Sequence, residues 1–190
     1  MRAHIPAVIF AGGKSSRMGE DKALLPFGDA PSLIQYQYHK LSGMFDSVFL
    51  SAKEDKSAGE ITLIPDRYSI FSPLSGIVSI FETLTEDEVF ILSVDTPFVD
   101  MEIIEKILRE KGEGYDAIIA KCRGKVQPLC GCYKRSILPL AKAALEKGDH
   151  KLGMLLEQAH TCYVDFHEEE RFMNLNHPDE YKKALLLHKA

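Results

Sequence analysis

Short apolar runs alternate with segments of helical spacing along most of this chain. Residues 5–10 form a continuous apolar run of strand length, and similar runs recur at 46–52, 61–64, 89–94, 117–120 and 162–166. Between them, residues 32–41, 74–84, 103–111, 136–147 and 180–187 space their apolar positions for one face of a helix. Gly112 and Gly148 each follow a lysine, where a glycine closing a helix belongs. Strands that alternate with helices predict a mainly parallel sheet covered on both faces. The expected fold is a single three-layer α/β/α Rossmann-like domain spanning residues 1–190. Residues 127–133 read as a further strand, expected at an antiparallel edge. The polar stretch 116–126 reads as a hairpin-like excursion too short for a second domain.

Composition narrows the function without choosing it. A chain of 190 residues, 45% hydrophobic and 27% charged, has the make-up of an ordinary globular protein. At this length folding buries roughly 70% of the unfolded surface. A net charge of −5 argues against nucleic acid or an anionic membrane as partner, since either wants a basic face. No stretch approaches the ~20 apolar residues of a membrane span. The apolar start after Arg2 holds Pro6 and runs straight into a glycine loop, so it is read as a strand, not a leader. Cys122, Cys130, Cys132 and Cys162 form no C-x-x-C pair and no disulfide framework. Reduced thiols and a cytoplasmic location are expected.

The residues after the first strand change the picture. Phe10-Ala11-Gly12-Gly13-Lys14-Ser15-Ser16-Arg17-Met18-Gly19-Glu20-Asp21-Lys22 combines three glycines with three cations, Lys14, Arg17 and Lys22. Glycines let a backbone approach a ligand without Cβ interference, and amide N–H groups with convergent positive charge suit a polyphosphate. A P-loop would need glycine where Val8 stands, and the dinucleotide fingerprint finds no fitting glycine spacing. The loop is read as a nucleoside triphosphate site, against the alternative of a plain surface loop whose glycines turn and whose lysines are solvated. Its pattern A-G-G-x-S-x-R-M-G-x-D-K resembles the signature loop of the molybdenum cofactor nucleotidyltransferases, and more broadly of pyrophosphorylase-like nucleotidyltransferases.

Ligands of open α/β sheets sit beyond the carboxyl ends of the strands, so the residues leaving each strand are the next candidates. These are Ser51, Ala52 and Lys53, then Pro65 and Asp66, then Asp95, Thr96 and Pro97. Asp95 ends a buried strand, and one carboxylate there suffices for Mg²⁺, whose other ligands are phosphate and water. Capping of the following helix is its alternative role. The resemblance implies magnesium at this D-T-P and nucleotide contact at Asp66, which also reads as a turn aspartate before Arg67. Ser51 stands where guanylyltransferases often carry asparagine. Pro73-Leu74-Ser75-Gly76 resembles the family's P-L-x-G motif; Gly76 inside a helix points to close packing or to ligand contact. Asn174 and Asn176 fall on one face of an extended segment and resemble the family's N-x-N-T-P-E, with His177 in place of threonine. Their amides either read a ligand or bond a neighbouring loop, and cap and turn chemistry alone is the other reading. Gln127-Pro128-Leu129 resembles a segment on the acceptor side of the family's pocket.

The chain shows no nucleophile–base set and no paired carboxylates for acid–base work. Nucleotidyl transfer to an already ionised phosphate monoester needs neither. The resemblance implies GTP as donor, molybdopterin or molybdenum cofactor as acceptor and Mg²⁺ as cofactor, with transient contact to cofactor-delivery or molybdoenzyme proteins. It also implies nucleotide contacts at Phe10, Ala11, Gly12 and Gly13 and catalytic roles for Arg17, Lys22 and Asp95. The guanylyl branch favours the paired glycines of Ala11-Gly12-Gly13 and asparagines at 174 and 176. Cytidylyl or other small-molecule transfer on the same fold stays open, as does a catalytically silent nucleotide-binding protein.

Overall fold

The parallel strands Ala7–Phe10, Val48–Ala52, Leu63–Pro65 and Glu88–Ser93 share one carboxyl end, and this sets where a ligand can bind. The computed structural model describes residues 3–12, 21–110 and 114–188. In chain order they form β1 (Ala7–Phe10), α1 (Leu33–Ser42), β2 (Val48–Ala52), β3 (Leu63–Pro65), α2 (Pro73–Thr83), β4 (Glu88–Ser93) and α3 (Met101–Arg109). Then follow β5 (Ala117–Cys122), β6 (Lys125–Lys134), α4 (Leu138–Glu146), α5 (Leu152–Gln158), β7 (Thr161–Phe166) and α6 (Pro178–His188). The seven strands form one sheet in the order β3-β2-β1-β4-β6-β5-β7. β1 is parallel to β2 and β4, β2 to β3, and β5 to β7.

The α/β class expected from the alternation is the one observed, with one correction of position. The strand read from residues 127–133 is antiparallel to both its neighbours, β4 and β5. It lies inside the sheet, however, and parallel strands β3 and β7 form the edges. The cause is the two-residue turn Arg123-Gly124, where both residues have positive φ, 45° and 82°. Turns of that kind fold a strand straight back on itself. β6 therefore fills the gap between β4 and β5 before the chain continues.

The period of two along each strand splits the core into two layers. Ala7 and Ile9 of β1 pack with Leu33, Ile34 and Leu41 of α1 and with Ile103, Ile104 and Ile107 of α3. Val8 and Phe10 pack on the other face with Leu74, Ile77 and Val78 of α2 and with Leu155 and Leu156 of α5. Helices α1, α3 and α6 thus cover one face, and α2, α4 and α5 the other. The helix read from 136–147 begins as the 3₁₀ turn Arg135–Ile137, with α4 proper starting just before Pro139. Proline lacks an N–H and is tolerated only in the first turn. Gly148, at φ 75°, closes α4 as expected, whereas Gly112 lies outside the described residues. Helix α5 did not stand out in the sequence because it has only seven residues. Among the described residues no helix is long and apolar enough to cross a membrane.

Candidate active site

Three separate pieces of chain meet at the carboxyl end of the central strands. The first is the end of the glycine loop. Asp21 caps the 3₁₀ turn Lys22–Leu24, its carboxylate accepting from the Ala23 N–H at 3.1 Å. That turn presents Lys22, whose ammonium donates to Oδ2 of Asp95 and, at 3.0 Å, to Oδ1 of Asn176. Asp95 belongs to the second piece, the exit of β4. Its Oδ1 accepts from the Ser93 hydroxyl at 2.6 Å. The third piece is the extended segment before α6, where the Leu175 N–H donates to the Asp95 carbonyl at 2.9 Å. Leu175 is fully buried, so the asparagines on either side of it point the other way, as the alternation predicted.

A pocket of about 120 Å³ opens beside this junction, lined by Phe10, Ala11, Gly12, Asp21, Lys22, Ala23, Ser93, Val94, Asp95 and Leu129. Leu129 arrives there because β6 is irregular: pairing with β5 slips between Ile119 and Lys121, leaving residues 127–130 without partners on β5, while Cys130 still pairs with Leu92 of β4. The bulge also accommodates Pro128 within an interior strand, where a regular ladder has no place for it. The Tyr133 hydroxyl braces it with a 2.6 Å bond to the Pro128 carbonyl.

Five predicted residues, Phe10, Ala11, Gly12, Lys22 and Asp95, line this pocket, and Asn176 joins it through Lys22. Gly13 and Arg17 lie outside the described residues. Asn174, partly exposed, is placed on the same side as Asn176, its amide 3.5 Å from the Phe172 carbonyl. Ser51, Asp66, Pro73, Leu74 and Gly76 fall outside the pocket lining, in a second group on the α2 side of Phe10. Ser51 is buried beside Phe10 in register. Asp66 spends its oxygens within the chain, on Lys53 Nζ at 2.9 Å, Ser75 Oγ at 2.9 Å, Ser79 Oγ at 3.3 Å and the Tyr68 N–H at 3.1 Å. The last of these is the turn geometry that its sequence context also allowed. Leu74 turns its side chain into the core.

Of the two reasons offered for Gly76, the geometry supports packing. A Cβ there would stand 2.4 Å and 2.5 Å from two ring carbons of Phe10. The same ring would meet a Cβ at Gly12 at 3.2 Å, so Phe10 lies between two glycines.

One cation at this rim had not been singled out. Lys56, in the loop after β2, bonds the Ala11 carbonyl at 3.2 Å and pairs with Asp21 at 2.7 Å. The signal was faint: Asp55 folds its own loop by accepting from the N–H groups of Ser57 and Gly59, which carries the lysine back over β1. Nothing in local spacing shows that return.

Among the described residues no group of three or more His, Cys, Asp or Glu could enclose a metal. Two carboxylates, Asp21 and Asp95, line the pocket, and a hard divalent ion held by one or two carboxylates completes its shell with phosphate and water. Lysine, carboxylate and a glycine-bounded backbone on one rim suit a bound polyphosphate.

The chain is a nucleotidyltransferase of the MobA-like NTP transferase domain family, to which it belongs and whose model matches residues 7–162. It is 40% identical over 178 residues to the molybdenum cofactor guanylyltransferase of Campylobacter jejuni, covering 93% of each chain. To the protein of that name from Helicobacter pylori it is 35% identical over 187 residues, covering 96% of this chain and 88% of the other. Its fold matches that of molybdopterin-guanine dinucleotide biosynthesis protein A from Archaeoglobus fulgidus with a TM-score of 0.83, at 23% identity and over 97% and 99% of the two chains.

Proposed function

We propose that this protein transfers GMP from GTP to the terminal phosphate of molybdopterin, or of its molybdenum-loaded form, releasing pyrophosphate. Residues 1–190 act in this reading as one nucleotidyltransferase domain. The observation that carries it is the junction of Lys22 with Asp95 at a pocket bounded by Ala11 and Gly12. A binding module has no need of a lysine and a carboxylate converging where a triphosphate would lie. Guanine, rather than cytosine, is favoured by the paired glycines, by the two asparagines and by the names of the similar proteins.

In this reaction an oxygen of the acceptor phosphate attacks the α-phosphorus of GTP, and the bond to the bridging α–β oxygen breaks. Pyrophosphate carries away the electron pair. The attacking oxygen is already ionised near neutral pH, so the protein must position and neutralise charge rather than remove a proton. Lys22 faces the α-phosphate, while Arg17 and the glycine-loop amides take the β- and γ-phosphates. Asn174 and Asn176 orient the nucleotide, with Asn176 also fixing Lys22. Asp66 supports the wall of the site through Lys53 and Ser75. The bulge at Gln127-Pro128-Leu129 forms the acceptor side. A divalent cation, Mg²⁺ in this proposal, would be held by Asp95 and supply charge neutralisation on the phosphate oxygens. The site faces soluble substrates in the cytoplasm, and transient docking of cofactor-delivery proteins or molybdoenzymes would bring and remove them.

The test is pyrophosphate release with molybdopterin and Mg²⁺, comparing GTP with CTP. Release with GTP is expected. Release only with CTP moves the assignment to cytidylyl transfer on the same machinery. Tight GTP binding with no release under any acceptor would defeat the enzymatic reading.

A further inference from the structure

Helix α1 carries a glutamine where its apolar stripe calls for a hydrophobic residue. Leu33, Ile34, Gln37 and Leu41 are the buried positions of the helix, and Gln37 is fully buried. Such a side chain is costly unless it is bonded. Its Nε2 donates at 3.1 Å to the Ser93 carbonyl and at 3.1 Å to that of Thr96, while its buried Oε1 finds no partner among the described residues. One helical turn on, Lys40 donates at 3.0 Å to the Pro97 carbonyl and at 2.6 Å to that of Val99. Two side chains at i and i+3 thus hold four carbonyls in the segment that contains Asp95.

Within that segment the Thr96 hydroxyl donates at 2.9 Å to the Ser93 carbonyl and the Ser93 hydroxyl at 2.6 Å to Asp95. The segment's internal backbone bonds are long, 3.4 Å from the Thr96 N–H to Ser93 and 3.3 Å from the Val99 N–H to Thr96. The same helix is also tied to the other half of the site, since the Leu33 N–H donates at 2.8 Å to Leu25, the residue closing the Lys22 turn. One rigid helix therefore sets both Lys22 and Asp95.

We propose that Gln37 and Lys40 are positioning residues for nucleotidyl transfer, holding the Asp95 segment at the distance from the Lys22 turn that the reaction requires. The inference rests on the transferase reading above. It touches no substrate and acts through backbone carbonyls alone. Stability by itself would be served as well by an apolar residue at 37.

The test compares wild type with Lys40→Met and Gln37→Met, which keep length but lose the donors, and with Lys40→Arg, which keeps donors. Three quantities are read on folded protein: amide exchange in residues 94–99, Mn²⁺ affinity in the presence of GTP, and kcat against KM for GTP. In the methionine variants exchange in 94–99 is expected to quicken at least about ten-fold while β2 is unchanged. Mn²⁺ affinity should fall about five-fold or more, and kcat about ten- to a hundred-fold with KM within about two-fold. Lys40→Arg should recover most of each. A lowered thermal midpoint with exchange, Mn²⁺ affinity and kcat all unchanged would overturn the proposal. Should Lys40→Met fail to fold, Gln37→Met decides by the same criteria. If wild type turns over no nucleotide, the transferase reading fails, and the exchange and Mn²⁺ measurements still judge the positioning.

Discussion

Lys22 donates a hydrogen bond of 3.0 Å to Asn176, a residue 154 positions further along the chain. With its contact to Asp95, this bond makes the lysine the point where glycine loop, central strand and final segment are joined. Removing the Asn176 acceptor leaves the lysine charged and held, of these two partners, by Asp95 alone. Asn176→Ala is expected to lower kcat/KM for GTP about ten-fold, or ~1.4 kcal/mol of transition-state stabilisation. Lys22→Ala should cost more, at least ~2 kcal/mol. Steady-state pyrophosphate release checks both, and equal losses would show that Asn176 does more than hold the lysine.

Asp95 is hydrogen-bonded by Ser93 and ion-paired with Lys22, so the carboxylate is already aimed into the pocket. Asp95→Asn keeps the shape and loses the charge. Turnover dependent on Mg²⁺ should fall at least about a thousand-fold, with the circular dichroism spectrum unchanged. Activity within ten-fold of wild type would remove Asp95 from the mechanism.

Replacing a helical glycine by alanine usually gains ~1 kcal/mol. Gly76→Ala is expected to do the opposite, because the new methyl would press on the Phe10 ring, which Gly12 confines from the other side. A net loss of about 1–2 kcal/mol in urea unfolding is expected. The double variant Phe10→Leu/Gly76→Ala should lose less than the sum of the two single changes.

Burial pulls the Lys40 ammonium down to about 7, against the opposing pull of Cys130 and Asp100. The unfolded chain keeps its proton up to the ordinary lysine value of 10.5. Between these two values the unfolded state binds the extra proton, so stability rises with pH across that window. Below pH 7 the full cost of charging the buried amine is present; above 10.5 it is gone. Urea unfolding of wild type and Lys40→Met from pH 6.5 to 9.5 should therefore show the wild type gaining stability relative to the variant. A difference independent of pH would mean that the amine keeps its ordinary affinity for protons.

Much of this site was legible in the sequence because it depends on local order. A buried strand followed by glycines, and an aspartate directly after another buried strand, place Ala11, Gly12 and Asp95 at the same end of any parallel sheet. The two asparagines were legible for a similar reason, as alternation around a buried Leu175. Gly76 was legible as an anomaly only, since the ring that explains it sits on a different element. Gln37 carries no signal of its role in the sequence, since its partners are carbonyls, which leave no mark there.

The sequence by itself determined the class of fold, the strands whose ends carry the candidate site residues and the loop chemistry suited to a triphosphate. Periodicity and turn residues act over a few positions, and those features need no more. Tertiary structure decided that the antiparallel strand lies inside the sheet, that Lys56 returns over β1 and that Asp66 is engaged with Lys53 and Ser75 outside the pocket. It also decided that α1 holds both halves of the site. Each of these depends on contacts between residues far apart in the chain, where packing and carbonyl hydrogen bonds choose the partner and local spacing carries no trace of the choice.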